Sequence, residues 1–355
     1  MLLKFIFKRK YSLTTLMIMR LRLLLLTIFT AYSSFLVAQK IKSLHSNNET
    51  SFRGLSAVSD NVIWACGTKG TVCLSKNGGK NWKQQQLVGY ENSDFRSVHA
   101  FSDKKAILVT AGTPAAIVLT EDGGQRWTTV WRQEDSAYFL DAIAFWDEMR
   151  GVVLGDPVGG HLYLLETKDG GKTWNPMPGH APHLLKNEAH FAASGTCMRV
   201  LSGGQLWIAT GGAAARILYS KDYGAHWQFI ATPMLSGEAA KGIFSIAVKD
   251  SANWVIVGGD YTNDTLKKDH IFYTVDGGKT WLKPQIPTGG YRSCVEFVSA
   301  TMLVATGPGG TDISRDGGIS WIPASTTGFH SIRKTSKGKR VFLSGSKGRL
   351  GEIVL

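Results

Sequence analysis

An all-β protein built as a ring of seven similar sheets, a β-propeller, is the architecture that three features of this 355-residue sequence predict. An octapeptide recurs six times, its copies starting 45, 47, 53, 54 and 40 residues apart. Strand-like apolar runs recur in a fixed order ahead of each copy. The composition, with 40 glycines, 11 tryptophans and only 10 prolines, suits many short strands joined by tight turns.

The octapeptides occupy residues 75–82, 120–127, 167–174, 220–227, 274–281 and 314–321. Their third position is Asn77, Asp122, Asp169, Asp222, Asp276 or Asp316, followed by two glycines or, in the fourth copy, by Tyr223-Gly224, and the last is Trp82, Trp127, Trp174, Trp227, Trp281 or Trp321. Physical chemistry reads the unit as a stapled hairpin turn. The carboxylate accepts backbone N–H groups of its own loop, and the glycines take positive φ. The Trp then buries a face beside the strand. On this reading the acids are structural and hold neither metal nor substrate.

Ahead of the boxes, inner strands open at residues 52–55, 95–98, 140–143, 243–246 and 291–294, and less clearly near Phe191 in the fourth copy. A seventh copy opens at 329–332 and runs through 341–345 to 350–355, without a box or a fourth strand. Residues 40–44 have no partner of their own. Supplied as the missing outer strand, they close the ring and remove an exposed edge. The expectation is seven blades of four strands in one domain, residues 39–355.

The first 38 residues differ in character. Lys4, Lys8, Arg9, Lys10, Arg20 and Arg22 precede an apolar run from Leu23 to Ala38, with no acidic residue before Gln39. The pattern is that of a signal peptide cut after Ala38, with Met17 or Met19 as alternative starts and an uncleaved anchor as the other reading. The expected location is periplasmic or secreted, with no stable membrane span after cleavage. Removing those six basic residues takes the formal charge from +13 to +7. That balance favours acidic partners. The seventh repeat is the most basic, with Arg333, Lys334, Lys337, Lys339, Arg340, Lys347 and Arg349 against Glu352, and reads as a solvated hairpin rather than a nucleic-acid site.

Cys66, Cys73, Cys197 and Cys294 lie in apolar runs without metal-ligand spacing. A two-residue turn at Thr68-Lys69 sets Cys66 opposite Thr71 instead of Cys73, which favours buried thiols over a disulfide.

Propeller topology fixes which side chains meet. The boxes join third and fourth strands and ring one face. The opposite face collects the starts of the inner strands, where alignment brings Arg53, Arg96, Asp141, Phe244, Arg292 and His330 to equivalent positions around the channel. Three arginines and a histidine there form an electropositive mouth suited to a carboxylate or phosphate. Asp156 and Asp260, on loops between second and third strands, add acids to that face. The connection 175–190 adds His180, His183, Glu188 and His190. Segments 228–242 and 261–270 are long enough to overhang the mouth.

The octapeptide resembles the Asp-box, or bacterial neuraminidase repeat. The whole chain from residue 39 resembles the propeller family of the photosystem II stability and assembly factor, chiefly its relatives in non-photosynthetic bacteria. Residues 155–157, 188–196, 211–216, 258–261 and 290–293 carry the likeness and add Arg216 to the candidate binding set. The resemblance implies a seven-bladed propeller that binds protein through an arginine-lined patch, for which Arg53, Arg96 and Arg292 are the matching residues. The implied partner is another exported or membrane protein. Relatives of this kind are often labelled oxidoreductases, but the sequence has no dinucleotide-binding glycine fingerprint, no CxxC and no evident haem ligation. No cofactor is expected.

The boxes also resemble those of sialidases and xyloglucanases. A glycosidase, or a binder of acidic glycans, is therefore the rival class, with Arg53, Arg96 and Arg292 beside Tyr291 and Glu188 imitating a sialidase site. The Arg-Ile-Pro signature of sialidases is missing.

Overall fold

The computed structural model describes residues 41–46, 49–177 and 181–355. The expected signal peptide, residues 1–38, and His180 lie outside the described residues. The described chain is all-β and forms seven blades. Blade 1 contains Phe52–Ala57, Ile63–Gly67, Thr71–Ser75 and Lys83–Gln86 in that order from the channel outward. Blades 2, 3, 4 and 6 repeat the four-stranded pattern, opening at Asp94–Ala100, Leu140–Phe145, Met198–Leu201 and Cys294–Phe297. Blade 7 takes three strands from the C-terminal end of the chain. Its outer strand is Ile41–His45, antiparallel to Leu350–Ile353, with Ile41 facing Ile353 and Lys42 facing Glu352. The N-terminal strand thus closes the ring as expected, and covers an edge that would otherwise expose unpaired N–H and C=O groups.

Blade 5 departs from the expected four strands. Beyond Glu238–Val248, Trp254–Asp260 and Ile271–Thr274, its outer edge keeps a single pair, Tyr273 with Leu282. Pro284 and Pro287 follow, and neither offers an N–H to a ladder. The segment between them crosses to blade 6, where the Gln285 N–H donates to Ile319 O and the Trp321 N–H donates to Ile286 O. The blade 5 sheet instead gains two short strands from blade 4 loops, Gly211–Gly212 and Glu188–Ala189.

Both faces of each central strand are buried, because each blade is packed between two others. In blade 1, Trp64 and Cys66 face blade 2, packing with Phe95, Val98 and Leu108. Ile63 and Ala65, on the opposite side of the same strand, pack with Phe342 and Leu350 of blade 7. This is the two-residue alternation of a pleated strand, apolar on both sides. Among the described residues the core divides into one apolar cluster per blade interface, plus a small aromatic cluster at the channel. The interface between blades 7 and 1 also carries a polar clasp. The Asp60 carboxylate accepts the Thr335 hydroxyl and the N–H groups of Lys339 and Arg340. Arg340 itself grips Glu352 and the carbonyls of Asp60 and Gly78. Arg340 and the channel-facing Arg333 are therefore internal ties, and the seventh repeat is less of a free basic surface than its sequence suggests.

All six octapeptides form the same lock. The first hydroxyl donates to the carboxylate, or to the Asn77 amide oxygen, two residues on; in the third copy Thr167 Oγ1 lies 2.8 Å from Asp169 Oδ1. That hydroxyl also accepts the N–H of the fifth residue, at 2.9 Å for Gly171. The acceptor at the third position takes the N–H of the seventh residue. The fourth and fifth residues have positive φ, 73° and 87° at Gly170 and Gly171. The tryptophan N–H closes the turn on its own fifth-residue carbonyl in the copies ending at Trp82, Trp174 and Trp321. The leading Ser or Thr is thus as much a part of the lock as the acid.

The cysteines are free and buried, but the register around them differs from expectation. The turn spans Thr68-Lys69-Gly70, with Lys69 and Gly70 at φ 58° and 59°, so Cys66 faces Val72 and Cys73 faces Ala65. A three-residue turn moves the register by one.

The locks give the fold an acid-labile component. The Asp276 carboxyl is held at about 2 by the Thr280 hydroxyl and N–H, and Asp169 and Asp222 are likewise held at about 2. A carboxyl depressed on folding stabilises the native state above its ordinary pKa, and that contribution is lost as pH falls through the depressed value. Stability is expected to decline between about pH 4 and pH 2, and less steeply in an Asp169/Asp222/Asp276→Asn variant, as followed by urea unfolding across pH. Thr167→Val, which keeps shape but removes the buried hydroxyl, is expected to cost about 1–3 kcal/mol in the same assay at neutral pH.

Candidate functional site

In blade 1 the pairing Phe52–Gly67–Thr71–Gln86 defines one end of the blade and Ala57–Ile63–Ser75 the other, where the octapeptide lies. The mouth of the channel is the Phe52 end. At that end the inner strands of blades 1, 2, 3 and 5 carry the same bulge, and the bulged residues are Arg53, Arg96, Asp141 and Phe244. A bulge re-aims the side chain of the extra residue. The alignment made from sequence therefore corresponds to a shared backbone irregularity.

The next residue on each inner strand is small: Gly54, Ser97, Ala142, Ser245, Ser293 and Ser331 in blades 1, 2, 3, 5, 6 and 7. Blade 4 fills the space they leave. Its entry segment is tied to inner strands across the ring. Ser194 O accepts from the Ser331 hydroxyl and the Arg333 guanidinium, both at 2.9 Å. The Ser194 hydroxyl donates to Ser293 O at 2.8 Å, and the Thr196 hydroxyl donates to Ser245 Oγ at 2.7 Å. Arg53 donates to Ala193 O at 3.2 Å. Gly195 adopts φ 67°, and a Cβ there would come within 2.7 Å of Ser97 Oγ. The segment 193–196 thus lies across the channel, and the mouth is a blind cup, not the entrance to a tunnel.

The cup is a cavity of about 460 Å³ lined by Arg53, Arg96, Asp156, His190, Tyr291 and His330, with Ala192 and Ala193 from the plug and an aromatic wall. Phe191 stacks on Phe244 with ring centres 3.7 Å apart, Tyr291 meets Phe244 edge-on at 4.8 Å, and Phe139 and Tyr261 complete the lining. Sequence analysis placed Phe244 at the mouth but missed Phe139, Phe191 and Tyr261 as a wall. The signal available was the run of small residues beside the bulges, which marks room in the channel.

Electrostatically the cup is asymmetric. Arg53 has no carboxylate within ion-pair distance among the described residues, and burial, then the charge of Arg96, pulls its guanidinium below the ordinary value. Arg96 is steadied by Asp94 through Nε at 2.7 Å. Burial, then Arg53, drives the His330 imidazole down to about 3, so it is neutral and pairs with the Ser51 hydroxyl at 3.1 Å. The histidine contributes no positive charge, contrary to expectation. On the other side, the Asp156 carboxylate accepts the His190 N–H at 3.2 Å. Burial pushes the Asp156 carboxyl up and the His190 imidazole down, each opposed by the charge of the other.

Of the remaining candidates, Tyr291 lines the cup and the others are not brought to it. Arg292 is buried in an ion pair with Asp312, Nη2 to Oδ2 at 2.5 Å, with both side chains 3% exposed. Its position just ahead of the inner strand matches Arg53, but Asp312 on the third strand of blade 6, Gly310–Ser314, supplies a carboxylate that draws it inward. Arg216 forms a bidentate pair with buried Glu188, which also accepts the Thr210 hydroxyl and the Leu185 N–H. Asp260 caps its own turn through the N–H and hydroxyl of Thr262. Asp141 is wholly buried beside the cup, neither carboxyl oxygen has a hydrogen-bond partner, and burial, then Asp156, pushes its carboxyl well up. Tyr291 does line the cup, but burial raises its phenol, and Glu188 is committed to Arg216, so the Tyr–Glu couple of a sialidase is not assembled. His183 packs on His161. No group of three or more metal-ligating side chains converges among the described residues.

Fold and site together define a seven-bladed propeller with a blind, arginine-edged cup on the face opposite its octapeptide turns. No family model matches the sequence. Over 295 residues the chain is 24% identical to the photosystem II assembly protein Ycf48 of Synechococcus sp. (strain JA-2-3B'a(2-13)), covering 70% of this chain and 80% of that protein. It is 26% identical over 220 residues to the chloroplastic photosystem II stability/assembly factor HCF136 of Arabidopsis thaliana, of which it spans 45%. The solved structure of YCF48 bound to D1 peptide superposes with a TM-score of 0.64 over 90% of this chain and 97% of that one, at 16% identity. These relatives, with the shared architecture, support a photosystem II assembly factor-like propeller family for this chain.

The two kinds of arginine separate experimentally. Arg292→Gln strands Asp312 as a buried, unpaired carboxylate and is expected to cost about 3–5 kcal/mol in chemical unfolding. Arg53→Gln, which removes a cation that has no carboxylate partner, is expected to leave the unfolding midpoint nearly unchanged.

Proposed function

We propose that this chain is an exported, assembly-factor-like scaffold that holds a protein partner through its cup face. The observation that carries the reading is Arg53, a half-buried guanidinium with no carboxylate partner among the described residues, beside Arg96 at an open cavity. Of the arginines that hold blades together, Arg292, Arg216 and Arg340 close on carboxylates, and Arg333 spends its guanidinium on the carbonyls of Ile332 and Ser194. A guanidinium left unpaired at an opening suits an acidic group of a partner, gripped in two-pronged fashion. The relatives bear names of assembly proteins, and one related structure has a peptide bound. Export rests on the basic-then-apolar character of residues 1–38, with Gln39 as the first mature residue. No helix among the described residues is long and apolar enough to cross a membrane.

The reading includes no catalytic step. A glycosidase acting at the same cup has Asp156 as its one reachable carboxyl among Asp141, Asp156, Glu188 and Asp260. Two carboxyls flanking the scissile bond are the usual requirement.

Affinity capture from the organism's own envelope extract tests the proposal, with wild type beside an Arg53→Glu/Arg96→Glu variant whose melting curve matches. A protein retained by wild type and lost by the variant is the expected outcome. Equal recovery by both moves the contact surface away from the cup.

A further inference from the structure

The cup carries a pattern that a flat docking face does not need. Its cations and acceptors lie on different parts of one small, blind cavity, with an aromatic slot completing the wall. Arg53 and Arg96 come from blades 1 and 2, Asp156 from the blade 3 loop and His190 from the entry to blade 4. Phe191, Phe244, Tyr261 and Tyr291 follow around the ring. Ala192 and Ala193 close the bottom, so nothing threads through.

Two details sharpen the chemistry. His190 Nδ1 lies 3.3 Å from the Ala209 carbonyl, which can only accept, so the proton sits on Nδ1 and Nε2 presents a lone pair. That Nε2 is buried and has no partner among the described residues, so it adds negative potential behind the wall that His190 contributes to and is not a contact itself. The Asp156 carboxylate accepts the main-chain N–H of His190 through Oδ1, and no hydrogen bond within the described residues engages Oδ2. Donors for an anion and acceptors for a cation therefore share a space of about 460 Å³, a size typical of small-molecule sites, about 300–1,000 Å³.

We infer that the cup is a binding site for a small zwitterion with a large apolar side chain, a free aromatic α-amino acid being the simplest case. Arg53 and Arg96 take the carboxylate, the free Asp156 Oδ2 takes the ammonium, and the side chain lies against the Phe191–Phe244 stack. Aromatic faces at van der Waals distance add apolar burial to the two polar grips. The inference goes beyond the partner reading and does not depend on it, since a scaffold that captures protein through its rim need not fill the cup.

Isothermal titration of the full chain near neutral pH tests it with three probes. Phenylalanine has both charges, N-acetylphenylalanine keeps only the carboxylate, as the end of a polypeptide does, and phenylalaninamide keeps only the ammonium. Phenylalanine is expected to bind, and each single-charge analogue to bind about tenfold or more weakly. Asp156→Asn is expected to weaken phenylalanine by a similar factor and to leave N-acetylphenylalanine unchanged, whereas Arg53→Gln weakens both. Matching melting curves confirm that the variants are folded. Equal or tighter binding of N-acetylphenylalanine overturns the inference in favour of a polypeptide end. No heat with phenylalanine at millimolar concentration overturns it outright. Neither result bears on the capture experiment, whose outcome depends on a protein partner.

Discussion

The hydrogen bonds between segment 193–196 and the inner strands across the ring set what this propeller can do. A ring of seven blades leaves an axial channel, and small residues beside each bulge widen it. Blade 4 fills that space with its own backbone, whose polar groups must be satisfied away from water. Ser293, Ser331, Ser245 and Arg333 meet that need. The plug ties blades 1, 5, 6 and 7 to one segment of blade 4 and converts a pore into a cup. Without it, Arg53 and Arg96 would stand over an open channel, and Phe191 would have no seat against Phe244.

Charge in this protein is sorted by whether a carboxylate is at hand. Arg292, Arg216, Arg199 and Arg340 each close on Asp312, Glu188, Glu296 or Glu352. Such pairs are costly to break once buried, which makes them structural whatever the sequence around them resembles. Arg53 stands apart because the loops near it bring a carbonyl, Ala193 O, in place of an acid. The same logic divides the acids. Glu188 and Asp260 are satisfied locally, Asp141 is sealed in the wall, and Asp156 alone reaches the cup. The proposed binding face is what remains after internal pairing has taken its share.

The repeat made the fold legible. Six octapeptides carry their own hydrogen bonds within eight residues, so the sequence states them completely, and the blade count and the closing N-terminal strand follow from their spacing. The candidate site was half legible. Alignment brought Arg53, Arg96, Phe244 and His330 to one end of the channel, the first three because those positions share a bulge in the backbone. It brought Arg292 there too, and nothing local warned that Asp312, twenty residues later, would draw that side chain inward. Blade 5 lost its outer strand through Pro284 and Pro287, a local signal that the overall regularity of the repeat obscured.

Local, self-contained interactions are therefore what the sequence by itself determined: the turn locks, the two-faced apolar strands and the order of the blades. The tertiary structure decided the rest, namely which charges are paired, that the channel is blind, and that Phe191 meets Phe244. The blind channel and the aromatic stack depend on residues from different blades coming together, as Ser194 and Ser331 do 137 positions apart. The pairs of Arg292, Arg216 and Arg340 close instead between strands and loops 20, 28 and 12 positions apart. A repeat specifies where its own strands go. Only packing decides which group comes close enough to pair, because pairing energies depend on distance and burial.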